Sequence, residues 1–275
     1  MQIKNLNLGF MQGRLTPMKN GVIQEFPAEN WENEILCAAK LGFSLIEWTI
    51  DYWNFEENPV LQKKEHNNIT QLLCETGVRV ESITADCCMQ APFWKSEGLK
   101  EQQLLDDFKK LTESAAQIGI RQLILPLVDN GSLTSQENAE KLYKSLIDLG
   151  QLPLKIAFEV DLPPEETANF ISLFPKESFG INYDTGNSAS LGHNPTAEFR
   201  SFGERITNVH IKDRLFRGSS VPLGLGDAQL KRQLELLLCL GYQGNLILQT
   251  ARSEAGHDEA ALISSVKYLH NEISS

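Results

Sequence analysis

Three residues in this chain are hard to explain as packing: Glu159 in IAFEV, Asp184 in NYDTGN and His210 in VHIKDR each close a short apolar run. A charged group at the end of a buried segment carries a heavy desolvation cost unless it has a partner. Two carboxylate oxygens and an imidazole suit Mn2+, Co2+, Mg2+ or Zn2+, with positions left open for a substrate. Vicinal hydroxyl and carbonyl oxygens of a sugar fit such positions, and their polarisation acidifies the adjacent C–H. The same three groups could instead form a structural ion-pair network without chemistry.

Further polar side chains fall at the ends of apolar runs. They are Gln12 and Arg14 in MQGRL, Glu47 beside Trp48, Gln249 in LILQTAR, and Arg252. Arg14, Arg214, Arg217 and Arg252 offer guanidinium forks to a phosphate or carboxylate on the ligand. Glu47 either touches substrate or closes an ion pair. Trp48, Trp53 and Trp94 either wall a sugar ring or pack. Asp213 reads as a loop-orienting carboxylate, Cys87 and Cys88 as buried packing, and His193 as a loop residue. His66, His257 and His270 read as solvated.

The elements that must position these groups alternate along the whole chain. Strands are predicted over Leu6–Phe10, Leu45–Thr49, Val78–Thr84, Gln122–Leu127, Lys155–Val160, Phe179–Asp184, Ile206–Lys212 and Asn245–Thr250. Most are apolar on both faces, as strands covered by helices must be. Between them lie helical patterns: Leu104, Phe108, Leu111, Ala115 and Ile118 line one face of a helix ending at Gly119. Thr134 with Glu137 predicts a capping box. Asn58-Pro59 and Asn194-Pro195 place an N-cap before a first-turn proline. Gly77, Gly150 and Gly241 follow helices as stops.

Eight strand–helix pairs predict an α/β (β/α)8 TIM barrel, one domain over residues 1–275, in which functional groups gather at the C-terminal strand ends. A doubly wound open sheet shares the alternation, but no GxGxxG follows the first strand.

Composition narrows the partners. Hydrophobic content of 41% with 22% charged residues is that of an ordinary soluble domain, with no run approaching the roughly 18 apolar residues of a membrane span. The N-terminal MQIKNLNLGF lacks signal-peptide features. Five sparse cysteines without a CxxC pair point to a reducing cytoplasm. A net charge of -11 argues against nucleic acid. A homo-oligomer is compatible with all of this.

Over nearly its whole length the sequence resembles the xylose-isomerase-like TIM-barrel superfamily, which takes in sugar and sugar-phosphate isomerases and epimerases, inosose dehydratases and the endonuclease IV branch. The resemblance rests on Glu159, Asp184 and His210 in that order, followed by the glycine-rich VPLGLGD. It implies one divalent metal ion, a small-molecule sugar or sugar phosphate as substrate, and proton abstraction beside a metal-polarised carbonyl with Glu159 as base.

The epimerase branch takes its fourth metal ligand from a glutamate ending strand eight, and here that position is Gln249. An amide can ligate through oxygen but cannot take a proton. Two-base epimerisation is thereby weakened. A one-base aldose–ketose isomerisation through an enediol can still run on Glu159, with the metal and Lys212 or a bound water stabilising the enediolate. Asn187 stands where the branch tends to carry a histidine, and can bond a substrate hydroxyl but not shuttle protons. An inosose-type dehydratase and a metal-dependent sugar-binding protein silenced by Gln249 are the alternatives. The endonuclease branch uses three metals and more histidines than the five present here.

Overall fold

The computed structural model describes residues 7–18, 22–149, 151–253 and 258–274. The barrel strands are β1 (Asn7–Met11), β2 (Leu45–Thr49), β3 (Arg79–Thr84), β4 (Gln122–Leu127), β5 (Lys155–Val160), β6 (Phe179–Asp184), β7 (Ile206–Ile211) and β10 (Asn245–Leu248). They close in the order β1-β10-β7-β6-β5-β4-β3-β2. Every neighbouring pair is parallel. A short antiparallel hairpin, β8 (Asp213–Arg214) with β9 (Ser220–Val221), stands outside the barrel after β7.

The predicted strands are all present, four with the expected bounds. Lys212, Gln249 and Thr250 lie just past strand ends, and Leu6 falls outside the described residues.

The outer helices include α1 (Trp31–Lys40), α2 (His66–Thr76), α3 (Asp86–Gln90), α4 (Gly98–Gln117), α5 (Gln136–Asp148), α6 (Pro164–Ser172), α7 (Thr185–Leu191), α8 (Pro195–Phe202), α9 (Leu230–Cys239) and α10 (Asp258–Ser274). In α4 the predicted stripe is the buried one, through Leu104, Phe108, Leu111 and Ala115. Gly119, at φ 89°, turns the chain out of it. Gly77 caps α2 in the left-handed region, Gly241 follows α9 at φ 68°, and Gly150 lies outside the described residues. Asn58 and Asn194 cap as expected, accepting from the N–H groups of Val60 and Ala197, although the turn after Pro59 is a single 3-10 turn.

The capping box at Thr134 does not form. Ser135 is extended and accepts from the Asn138 N–H instead, so α5 starts one residue later and Glu137 falls at its second position. There it complements the helix dipole without reaching back to the cap.

The main core lies between strands and helices. Phe158, Phe170, Phe174 and Phe179 pack with ring centroids 4.8–5.7 Å apart between β5, α6 and β6. Burying each such ring contributes about 1.5–3 kcal/mol. Trp48 belongs to this outer core, packed on Phe26 and Trp31. Side chains alternate across a strand, so Trp48 facing outward sends Glu47 inward. The same parity pairs Ser82 with Thr84, Asn182 with Asp184 and Asn208 with His210, polar residues buried within the strands. No described helix is long and apolar enough to cross a membrane.

Candidate functional site

His210 is the hinge of the barrel's interior. It is fully buried, with Nε2 2.6 Å from Glu47 Oε1 and Nδ1 3.1 Å from Glu159 Oε2. Burial alone disfavours an imidazolium, but Glu47 and Glu159 outweigh it and raise the pKa to about 10. Glu47 is saturated: it also accepts from Ser82 Oγ at 2.6 Å, Thr84 Oγ1 at 2.7 Å and Asn208 Nδ2 at 3.0 Å. Burial pushes its carboxyl up, and His210 with those donors more than offsets it, so it sits below the ordinary range. Both carboxylates accept, so in the metal-free protein His210 is an imidazolium with Nε2–H toward Glu47 and Nδ1–H toward Glu159.

Glu159 is held on both oxygens. Asn182 Nδ2 donates to Oε2 at 2.8 Å and lies 3.0 Å from His210 Nδ1, while Asn187 Nδ2 donates to Oε1 at 2.8 Å. Asn182 is itself oriented by Asn208, whose Nδ2 donates to its Oδ1 at 2.9 Å.

Asp184 ends β6 and caps α7. Its Oδ1 accepts from the N–H groups of Gly186 and Asn187 at 2.8 and 2.9 Å, and its Oδ2 lies 2.9 Å from Lys212 Nζ. Burial opposes its ionisation, but Lys212 and His210 keep the carboxyl below the usual range. Gly186 makes the Lys212 contact possible, since a Cβ there would stand 2.7 Å from Lys212 Cγ. One ligand atom from each of Glu159, Asp184 and His210 lies within 4.8 Å of the others. This donor set suits a divalent cation.

Beside this cluster opens a cavity of about 230 Å³, lined by Glu159, Asn187, Lys212, Arg214 and Gln249 among the expected residues, and by Arg14. Arg14 is already engaged: its Nε donates to Thr250 O at 3.1 Å and its two terminal nitrogens to Ile23 O and Gln24 Oε1. Burial, with Arg252 nearby, lowers its pKa to about 10. Arg214 donates to Asn187 Oδ1 at 3.0 Å and to Gly218 O.

Other expected residues lie elsewhere. Glu47 and Trp48 are fully buried off the cavity wall, and Gln12 is buried with Oε1 accepting from the Thr49 N–H. Arg217 lies exposed with its guanidinium over the Phe216 ring. Arg252 donates to the carbonyls of Gly13 and Thr16, so it fastens the loop after β1. Trp53 is 79% exposed, and Trp94 is buried with Nε1 on Gly131 O. Asp213 gathers the N–H groups of Gly224, Gly226 and Ala228, holding VPLGLGD in place. His193 faces Glu198, and His270 is exposed. His66 is half-buried against Val60 O rather than solvated, and His257 lies outside the described residues.

The family model described as xylose isomerase-like TIM barrel matches residues 36–271. The chain belongs to this family. Among curated relatives, L-ribulose-5-phosphate 3-epimerase UlaE of Escherichia coli O1:K1 / APEC is 24% identical over 253 residues, covering 87% of this chain and 88% of its own. The UlaE protein of Shigella flexneri serotype 5b (strain 8401), of the same name, is 25% identical over 251 residues, 85% of this chain and 86% of its own. Among solved structures of the same fold, the IOLI protein with a binding zinc atom has a TM-score of 0.74 at 17% identity, covering 98% of each chain. D-allulose 3-epimerase from Methylomonas sp. in complex with D-allulose has 0.73 at 15% identity, covering 98% of this chain and 97% of its own.

Sequence reasoning missed several polar residues of the cavity wall, Asp86 and Gln24 among them. Asp86 stands two residues past the end of β3, so the strand-end rule that found Asp184 reached it too. Gln24 lies in a loop with no periodic signal. Asn182 and Asn208 were visible only through strand parity.

Proposed function

We propose that this protein is a divalent-metal-dependent isomerase or epimerase of a sugar or sugar phosphate, with Glu159 as the base. The observation that carries this reading is the buried convergence of Glu159, Asp184 and His210 beside a polar cavity. Family membership and the epimerase names of the curated relatives support it.

The residues fit a resident cation on their own terms. Besides the three-residue cluster, Gln249 Oε1 is a buried oxygen without a partner among the described residues. Glu159, Asp184, His210 and Gln249 would hold the ion. When bound, it would polarise a substrate carbonyl and neighbouring hydroxyl and so acidify the C–H between them.

Glu159 then takes that proton, with Asn182 and Asn187 keeping its carboxylate aimed. His210 would offer Nδ1 to the ion on losing its proton there, while Nε2–H stays on Glu47 and fixes the ring. Lys212 lines the same cavity and supplies positive charge where oxyanion character develops. Arg214 has guanidinium donors beyond its three bonds, enough for a hydroxyl or phosphate oxygen. Gln249 cannot take a proton, so one carboxylate serves both abstraction and return, which favours aldose–ketose interconversion over two-base epimerisation.

The test is solvent exchange. Ketoses, aldoses and their phosphates are incubated with the protein and Mn2+ or Co2+ in deuterated water. Deuterium should enter next to the carbonyl of at least one sugar, and no incorporation across the panel contradicts the proposal. A second reading, a metal-dependent sugar-binding protein without turnover, is favoured by Gln249 alone. Turnover appearing only in Gln249→Glu would select it.

A further inference from the structure

Three side chains from separate parts of the barrel form one chain of hydrogen bonds across the cavity. Gln249, just past β10, donates through Nε2 to Gln24 Oε1 at 2.8 Å, and Gln24, in the loop after β1, donates through its own Nε2 to Asp86 Oδ2 at 2.5 Å. Asp86 opens α3 after β3 and is 5% exposed. All three line the cavity.

A side-chain amide has one accepting and one donating end, so such a chain runs in two senses unless its ends are fixed. Here both ends of Gln24 are determined. Arg14, which can only donate, points a terminal nitrogen at Gln24 Oε1 at 3.4 Å, and Asp86 accepts at the other end. Gln24 must therefore offer oxygen to Gln249, and Gln249 must answer with its amide nitrogen. The other contact of that nitrogen is Met11 Sδ at 3.3 Å, a weak acceptor, which agrees with the same sense. With its nitrogen committed, Gln249 is left with a buried Oε1 that no described group satisfies. A buried unpaired carbonyl oxygen is costly, and a cation in the cavity would satisfy it.

We propose that Asp86 and Gln24 are positioning residues that hold Gln249 with Oε1 presented to a divalent cation in the cavity. The inference rests on the metal-site reading above and adds to it how a neutral amide, free to flip in isolation, serves as a ligand at the end of the eighth barrel strand. Burial, with Asp51 close by, pushes the Asp86 carboxyl up to about 8. The relay keeps its sense when Asp86 is protonated, because Arg14 orients Gln24 from the opposite side and a carboxylic acid still accepts through its carbonyl oxygen.

The experiment is a Mn2+ titration of the full chain, with free ion read by electron paramagnetic resonance. It compares the native protein with Gln249→Ala, Gln24→Met, Asp86→Ala, Asp86→Asn and the Gln24→Met/Gln249→Ala double variant. Loss of a group that orients a metal ligand weakens binding by about tenfold or more, and Gln249→Ala, Gln24→Met and Asp86→Ala should each do so. The double variant should bind no worse than Gln249→Ala, since both changes remove one coupled interaction. Asp86→Asn keeps an accepting oxygen and should bind like the native protein.

Native affinity in Gln24→Met would overturn the relay, as would additive losses in the double variant. Loss in Asp86→Asn equal to that in Asp86→Ala would also overturn it, since charge rather than orientation would then be at work. Gln24 sits in a loop, so its variant carries the test even if Asp86→Ala melts early. A native protein that binds no Mn2+ removes the metal reading and the relay together, whereas tight native binding with unaffected variants removes the relay alone.

Discussion

His210 Nε2 lies 2.6 Å from Glu47 Oε1, and neither side chain is exposed to solvent. Glu47 thereby holds the His210 ring with Nε2 toward itself and Nδ1 toward Glu159. Removing one partner of a buried ion pair costs about 3–5 kcal/mol because the other charge is left stranded. Glu47→Gln keeps the shape and removes the charge, so denaturant unfolding should show a loss of about 3 kcal/mol. On the metal-site proposal, in which His210 is a ligand, Mn2+ affinity should fall about tenfold with it. Unchanged stability would mean that the pair is neutral in the fold.

Glu159→Gln tests the base. Asn182 and Asn187 donate to the carboxylate, and the amide oxygen can still accept one of these bonds, so the barrel should stay folded. A positioned general base contributes about 10²–10⁴ in rate. Deuterium incorporation into the substrate should therefore drop by about that factor, as followed by proton NMR. Retention of native exchange would move the base elsewhere.

Stability of the metal-free protein should fall as pH rises from about 6 to about 9. Burial raises the Glu34 carboxyl from 4.5 to about 7, and burial with Asp51 raises Asp86 from 3.8 to about 8. For His210 burial works the other way, but Glu47 and Glu159 outweigh it and carry the pKa from 6.5 to about 10. In each case the folded state holds a proton that the unfolded chain has released, so unfolding becomes easier as alkali is added. Glu47 and Asp184 are shifted downward, so their contribution is lost only in acid, as pH falls through their folded values. Urea midpoints across the range check this, and a midpoint that rises toward pH 9 contradicts it.

Gln249→Glu should change the products. A carboxylate there adds a second proton-transfer group and a charged ligand. Mn2+ should bind more tightly, and the ratio of epimer to aldose–ketose product, read by carbon NMR, should rise. An unchanged ratio would show that Gln249 does not decide between the two reactions.

The sequence made the barrel legible because a parallel strand covered on both faces must be apolar, and its first carboxylate or imidazole then stands out. Glu159, Asp184 and His210 were visible for that reason. Trp48 was misleading because it neighbours Glu47, and two adjacent strand residues cannot both face the interior. Arg217 and Arg252 follow strand ends as expected, yet one lies over Phe216 and the other binds Gly13 and Thr16 carbonyls. Loop conformation decided both, and no local pattern encodes it. Gln24 was invisible for the same reason: its role comes from contacts with Asp86 and Gln249, 62 and 225 residues away.

The most direct test of the account is metal stoichiometry by elemental analysis, after reconstitution with Mn2+, Co2+ or Zn2+ and removal of loose ions, on the native protein and on His210→Ala. The account predicts one retained ion per native chain and none in the variant. No ion in the native protein, or equal retention in both, would contradict it.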